Sequence, residues 1–297
     1  MSVRPKKGLG QHFLADPEAV RRIVNAVEAP REAPVVEIGP GEGALTGALL
    51  ERYPHLVALE VDAEAIAHLE RRFPALDVRE QDVLEADWRS IREERGAGEW
   101  EEGSMEEGSR LAETARKGDR QHGHPTSDLV HPRSLHVVGN LPYYITSPIL
   151  FALLDARAHV ARAVVMVQKE VADRIVAEPG SKTYGTLSVY FALFARAELL
   201  FSVGREAFRP PPNVESAVVA LDFAREAPGG VAFAAVQRVV RAAFGQRRKM
   251  MRNSLKPLAA ETGREIPGWV ATLRPEQVSP ADFVRLAQHF SPPTPSP

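Results

Sequence analysis

The sequence predicts an α/β fold: a mostly parallel, Rossmann-like sheet covered by helices, followed by a small all-helical C-terminal domain. Three observations predict it. Apolar runs such as PVVEIG (34–39) are too short for helices and suit strands buried on both faces. Through the first 90 residues these runs alternate with helical patterns, which implies right-handed βαβ crossovers. Beyond Gly230 every signal is helical. A length of 297 residues makes two domains the natural expectation.

The first helix is expected after Ala15, with Asp16 as N-cap, Pro17 at the first helical position, and Val20, Ile23, Val24 and Val27 on one face. PVVEIG then supplies a strand, GALTGALLERY a helix, LVALEVD a strand, AEAIAHLERRF a helix and LDVREQDVL a third strand. Residues 91–134 interrupt the pattern. They are rich in Gly, Glu, Ser and Arg, with 7 basic and 10 acidic residues, and are expected to be a disordered or loosely packed insertion. Strands resume at LHVVGN (135–140) and ARAVVMVQ (161–168), and another is expected over 217–221 after the proline-rich FRPPPNVES. EAPGG (226–230) looks like a linker. The helices beyond it carry Phe233, Val236, Val240 and Phe244 on one face, and the last is capped by Ser279 and Pro280. The domains are therefore drawn as 1–228, a ligand-binding catalytic domain holding the insertion; 229–290, a helical domain; and 291–297, a frayed tail.

Composition excludes some chemistry. The chain has no cysteine, so disulfides, thiolate zinc sites and cysteine nucleophiles are ruled out. No metal site is expected; His122, His124 and His131 sit in the insertion, a poor setting for ligation. No run approaches the ~20 apolar residues that cross a bilayer, and MSVRPKKGLGQHF lacks a signal-peptide core, so a soluble, cytoplasmic protein without a membrane partner is expected. From Phe151 onward there are 19 Lys and Arg against 13 Asp and Glu, and 238–256 holds seven basic residues and no acid. Such a block is a footprint for a polyanion, or a solvated helix face.

The glycines of EIGPGEG (37–43) follow a strand and precede a helix, where the chain must turn sharply and let a ligand approach its backbone. Gly39 and Gly41 are the candidate contacts. Glu60 closes the next strand, 21 residues after Gly39, placed for a carboxylate to accept from both ribose hydroxyls. Asp82 ends the third strand, where it can accept from an adenine amine. The spacing departs from G-x-G-x-x-G, since Ala44 stands at its last position. That suits a ligand without a pyrophosphate, such as S-adenosylmethionine, and favours methyl transfer over hydride transfer.

The stretch VVGNLPYYIT (137–146) ends a strand in an amide, a proline and two tyrosines. The amide oxygen of Asn140 and the carbonyl of Leu141 are two acceptors, aimed by the stiff Pro142, and together they suit a donor with two hydrogens. The exocyclic amine of adenine is one, and Tyr143 offers a face on which its ring can stack. Phe208 is a candidate for closing over the opposite face. A duplex hides that amine, so the target must be single-stranded, looped or flipped out.

Together GLGQHFL (8–14), VVEIGPGEGALT, ALEVD, QDVLEAD, VVGNLPYYIT, FRPPPNVESAVV and AFGQRRKMMRNSLK resemble the small-subunit (16S) ribosomal RNA adenine-N6,N6-dimethyltransferases, in the same order and across nearly the whole chain. The resemblance implies an S-adenosylmethionine-dependent enzyme that dimethylates two adjacent adenines in the 3′-terminal hairpin loop of 16S rRNA, on the immature small subunit; a monomer is expected, though the sequence itself does not fix the oligomeric state. It implies that His12 and Leu14 help hold the cofactor, with Gly39, Glu60, Asp82 and Asn140. It also implies that the helical domain docks on rRNA, a role that the basic run with Arg247, Arg248, Lys249 and Arg252 fits physically. The 40-odd polar residues before NLPY depart from the short connection of that family. Three other readings stay open: a relative acting on 23S rRNA, a non-catalytic assembly factor on the same fold, and a nicotinamide-dependent oxidoreductase.

Overall fold

A computed structural model describes residue 6 and residues 11–96, 134–223 and 228–291. The chain divides into two compact units, Met1–Ala172 with Glu198–Arg225, and Asp173–Ala197 with Glu226–Pro297.

The first unit is built on a seven-stranded sheet in the order β4-β3-β2-β5-β6-β9-β7. Its strands are β2 (Val35–Ile38), β3 (Leu56–Glu60), β4 (Asp77–Glu80), β5 (Leu135–Asn140), β6 (Val160–Gln168), β7 (Ala195–Val203) and β9 (Ser216–Phe223). The pairs β4-β3, β3-β2, β2-β5 and β5-β6 are parallel, while β9 runs antiparallel to β6. Every residue of β2 and β3 is buried, as strands covered on both faces must be. A separate two-stranded ribbon joins β1 (Phe13–Leu14) to β8 (Phe208–Arg209). The parallel strands reverse order between β2 and β5, and in such a sheet the ligand crevice lies at their C-terminal ends on either side of that switch.

Local chemistry sets the flanking helices. Pro17–Ala26 starts where the Asp16 carboxylate accepts from the Glu18 N–H, and Ile23, Val24 and the capping Val27 are buried. Ala63–Arg72 is capped in the same way by Asp62. Trp88–Gly96 carries regular helix into the segment expected to be loose, which corrects the start of the insertion. Burial of Trp88 and Ile91, with an Arg89–Glu93 pair one turn apart, anchors it. Residues 97–133 and 292–297, the rest of the insertion and the tail, lie outside the described residues.

The second unit takes in 173–197, which the sequence reading had placed with the catalytic domain. The reason is aromatic packing. Phe194 and Tyr190 meet Phe233 edge-on at 4.7 and 5.5 Å, and Phe244 stacks on Phe283 at 5.8 Å. Helices Phe233–Phe244 and Pro280–Phe290 frame this core, the latter starting where the Ser279 hydroxyl accepts from the Asp282 N–H. No helix among the described residues is long and apolar enough to cross a membrane.

Two side chains of the first unit, the buried Glu37 and the partly buried His136, make its stability depend on pH. Burial pushes the Glu37 carboxyl up to about 8, with the Glu60 charge adding to it, against a hydrogen bond donated by Thr46 Oγ1 at 2.7 Å. Burial and the Arg162 charge push His136 down to about 4. Glu37 therefore folds protonated, and its contribution to stability declines as pH rises from about 4.5 to about 8. His136 folds neutral, and its contribution is lost as pH falls from about 6.5 to about 4. The two trends oppose each other between pH 4.5 and 6.5 and separate outside it. From pH 6.5 to 8 the protein should lose roughly 1 kcal/mol of stability per pH unit. Glu37→Gln should flatten that limb in urea titrations.

Candidate active site

A cleft opens at the C-terminal ends of β2, β3, β4 and β5, lined among others by His12, Gly39, Gly41, Glu60, Asp82, Asn140, Leu141, Pro142 and Tyr143. Nine of the eleven residues proposed from the sequence for cofactor and target base thus come together in one place.

The glycine turn behaves as its spacing predicts. Gly39 and Gly41 take φ of +61° and +55°, a region that side chains with a Cβ rarely adopt. A Cβ at Gly39 would meet nothing within 4 Å, so its backbone is bare toward the cleft; one at Gly41 would strike the Phe13 ring at 2.8 Å. Glu60 is buried, and its carboxylate is largely used by the protein. Oε2 accepts from the Gly41 N–H at 3.1 Å, and Oε1 from the Val61 and Asp62 N–H groups at 2.8 and 3.0 Å. With about four acceptor positions on a carboxylate, one remains at Oε2 for a ribose hydroxyl rather than the two the sequence predicted. Asp82 uses Oδ1 to cap the turn Val83–Glu85 through the Leu84 N–H at 2.9 Å, leaving Oδ2 as an acceptor. Val61, 50% exposed beside Glu60, gives the same rim an apolar surface on which a flat ring can lie.

The Asn140 corner is held by the N-terminal segment. Asn140 Nδ2 donates to the His12 carbonyl at 2.9 Å, which turns Oδ1 away as an acceptor. The Leu141 N–H donates to Met166 O at 3.0 Å, while its carbonyl accepts no hydrogen bond among the described residues. The Pro142 carbonyl is already used, accepting from the Ile145 N–H at 3.2 Å and Thr146 Oγ1 at 3.0 Å. The two acceptors left at this corner are therefore Asn140 Oδ1 and Leu141 O. Tyr143 stands 5.8 Å from the His12 ring, nearly parallel to it, with its hydroxyl 2.6 Å from Ser216 Oγ; burial pushes that hydroxyl's pKa up. The His12 ring is fixed in turn, Nδ1 donating to the Pro210 carbonyl at 2.8 Å.

Two expectations are corrected. Leu14 and Phe208 pair across the β1-β8 ribbon, are 6% and 2% exposed, and belong to the apolar core rather than the cleft. Side chains alternate along a strand, so Phe13 is the β1 residue that faces the cleft. The sequence reading also missed Gln11 and Lys6. Gln11 Nε2 and Lys6 Nζ both donate to the Asp62 carboxylate, at 3.2 and 2.5 Å, which ties the N-terminal segment to the end of β3. Only the nearness of Gln11 to His12 signalled this. The basic run proposed for RNA lies in the second unit. Arg247, Arg248 and Lys249 occupy the turn after Phe233–Phe244 and Arg252 the short helix Met251–Ser254, all exposed. Arg247 donates to the Lys182 carbonyl at 2.6 Å; the other three make no ion pair among the described residues.

The family model for ribosomal RNA adenine dimethylase matches residues 3–289. The chain belongs to that family. Two relatives named ribosomal RNA small subunit methyltransferase A are similar over nearly the full length. The one from Salinibacter ruber is 43% identical, covering 97% of this chain and 85% of its own; the one from Bordetella pertussis is 41% identical, covering 95% and 92%. A dimethyladenosine transferase from Plasmodium falciparum (TM-score 0.67, 21% identity, 94% of this chain and 97% of that one) shares the fold. So does the 23S rRNA methyltransferase ErmE (TM-score 0.56, 24% identity, 94% and 99%). As a ribosomal RNA adenine dimethylase the protein is a methyltransferase that uses S-adenosylmethionine. The cleft of this dimethylase fits the adenosine half of that cofactor: the bare backbone at Gly39, the remaining acceptors of Glu60 and Asp82, and the apolar Val61 suit a nucleoside.

Proposed function

We propose that the chain dimethylates N6 of two adjacent adenines in the 3′-terminal hairpin loop of 16S rRNA, acting in the cytoplasm as a monomer on the immature small ribosomal subunit. The carrying observation is the pair of acceptors at the Asn140 corner, one freed by the tie to His12 and the other by the strand end at Leu141. The names and identities of the full-length relatives support 16S rRNA as the target.

In this reading Asn140 Oδ1 and Leu141 O each accept one N–H of the adenine amine. Both hydrogens held to one side draw the nitrogen lone pair out of conjugation with the ring and aim it into the cleft. Tyr143, braced by His12 and Ser216, supports the purine face. When bound, S-adenosylmethionine supplies a methyl group already activated by its sulfonium. As the C–N bond formed, the S–CH3 bond would break and its electron pair would leave with the neutral thioether; the methylated amine would be cationic and strongly acidic, so its proton would pass to water and the corner needs no strong base. The monomethylated amine keeps one N–H, enough for one of the two acceptors to orient it for the second transfer.

The helical unit supplies docking through Arg247, Arg248, Lys249 and Arg252, whose charges fix affinity and register on phosphates. Incubation with labelled cofactor and small subunits lacking the modification should place dimethyladenine at two adjacent 16S positions by mass spectrometry. Product on 23S rRNA alone would overturn the reading. In the same assay Arg248→Ala, Lys249→Ala and Arg252→Ala combined should weaken RNA binding. The slope of log affinity against log salt should fall by about 2, as for three lost phosphate contacts; an unchanged slope would remove these side chains from the interface.

A further inference from the structure

We propose that Tyr144 is a stacking platform for the nucleotide next to the target adenine, holding the strand at the mouth of the cleft while its neighbour is methylated. The inference rests on the target base lying at the Asn140 corner.

Tyr143 and Tyr144 are consecutive in one tight turn, Tyr143–Ile145. A turn of three residues separates successive side chains by about 120°, so the two rings cannot serve the same base. Tyr143 is committed inward, to the His12 ring and to Ser216 Oγ. Tyr144 lines the same cleft but is 56% exposed and makes no hydrogen bond or ring contact among the described residues. No other large hydrophobic side chain among them is as exposed. Its ring thus adds nothing to the core, yet stands where RNA must pass. Adjacent bases share one phosphodiester, so a single strand that delivers one base to Leu141 and Asn140 brings the next to the rim. An aromatic face takes any base there, because stacking needs a π surface and no particular hydrogen-bond pattern. In one round the neighbour is the other target adenine and in the other it is the nucleotide beyond the pair, and because the face takes any base the strand can shift by one nucleotide without losing this contact.

Tyr144→Ala should raise KM for RNA about 5- to 150-fold, the range for losing one base stack, with kcat and cofactor affinity little changed. Tyr144→Phe should restore KM, since the ring and not the hydroxyl is used. The decisive arm replaces the neighbouring nucleotide of a hairpin substrate by an abasic one. The unaltered enzyme should then lose the same factor, and Tyr144→Ala should lose little more. If the two changes instead multiply, or Tyr144→Ala leaves KM unchanged, the platform is overturned while methylation at the Asn140 corner stands. No methyl transfer by the unaltered protein would overturn the underlying reading and the platform with it.

Discussion

Asn140→Ala is expected to lower kcat for methyl transfer ~10²- to 10³-fold, the usual cost of deleting one fixed polar group that acts on the reacting atom. Alanine removes Oδ1, leaving the adenine amine only the Leu141 carbonyl, and it also cuts the donor that holds the His12 carbonyl at 2.9 Å. Asn140→Asp separates these roles. It keeps acceptor oxygens but sets one of them against the His12 carbonyl, so it should recover part of the loss only. RNA affinity should stay within about twofold in both variants, because phosphate contacts supply most of it. Single-turnover transfer of labelled methyl, beside fluorescence anisotropy with the hairpin, reads the two quantities separately. An Asn140→Ala enzyme working within tenfold of the unaltered rate would remove the amide from the chemistry.

Gly139→Ala should be the most damaging small substitution in the first unit. Gly139 pairs in register with Ile38 between the central strands β5 and β2. A Cβ there would lie 2.6 Å from the Ile38 carbonyl oxygen and 3.2 Å from its Cβ. The nearest obstacle is backbone, so the strands themselves must part, and overpacking of this kind costs about 1–3 kcal/mol or more. A Tm lowered by roughly 5–10 °C is expected for a chain of this size. Asn140 is the next residue, so activity should fall further than folded fraction alone explains. Thermal unfolding followed beside activity at 25 °C tests both; a Tm within 1 °C of the unaltered protein would show that the strands yield freely.

Much of the fold was legible because the signals were local. VVEI and LVALE read as strands, being short, apolar and bounded by turns, and all nine of these residues are buried. Asp16-Pro17 and Ser279-Pro280 read as helix starts because capping is satisfied within three residues. The strand β7, Ala195–Val203, was missed, since its residues are largely half-exposed and its apolar run is only the three residues Leu199–Phe201. Membership of 173–197 in the helical unit was hidden too, because it depends on Tyr190 and Phe194 finding Phe233 some forty residues later.

The site divides along the same line. Glu60 and Asn140 end strands and Gly39, Gly41 and Asp82 follow strand ends within three residues, and parallel crossovers deliver successive strand ends to one edge, so order along the chain was enough to gather them. The amino acids alone thus determined the fold class, the residues of the crevice and the pairing of an amide with a neighbouring carbonyl. Tertiary structure alone decided which polar atoms remain available: three of the Glu60 acceptor positions and the Pro142 carbonyl are used internally, and Asn140 is oriented by a residue 128 positions away. It also turned Leu14 and Phe208 into the core and Phe13 into the cleft. A hydrogen bond or a strand pairing between distant segments leaves no periodicity in either one, so its consequences exist only once the chain has closed on itself.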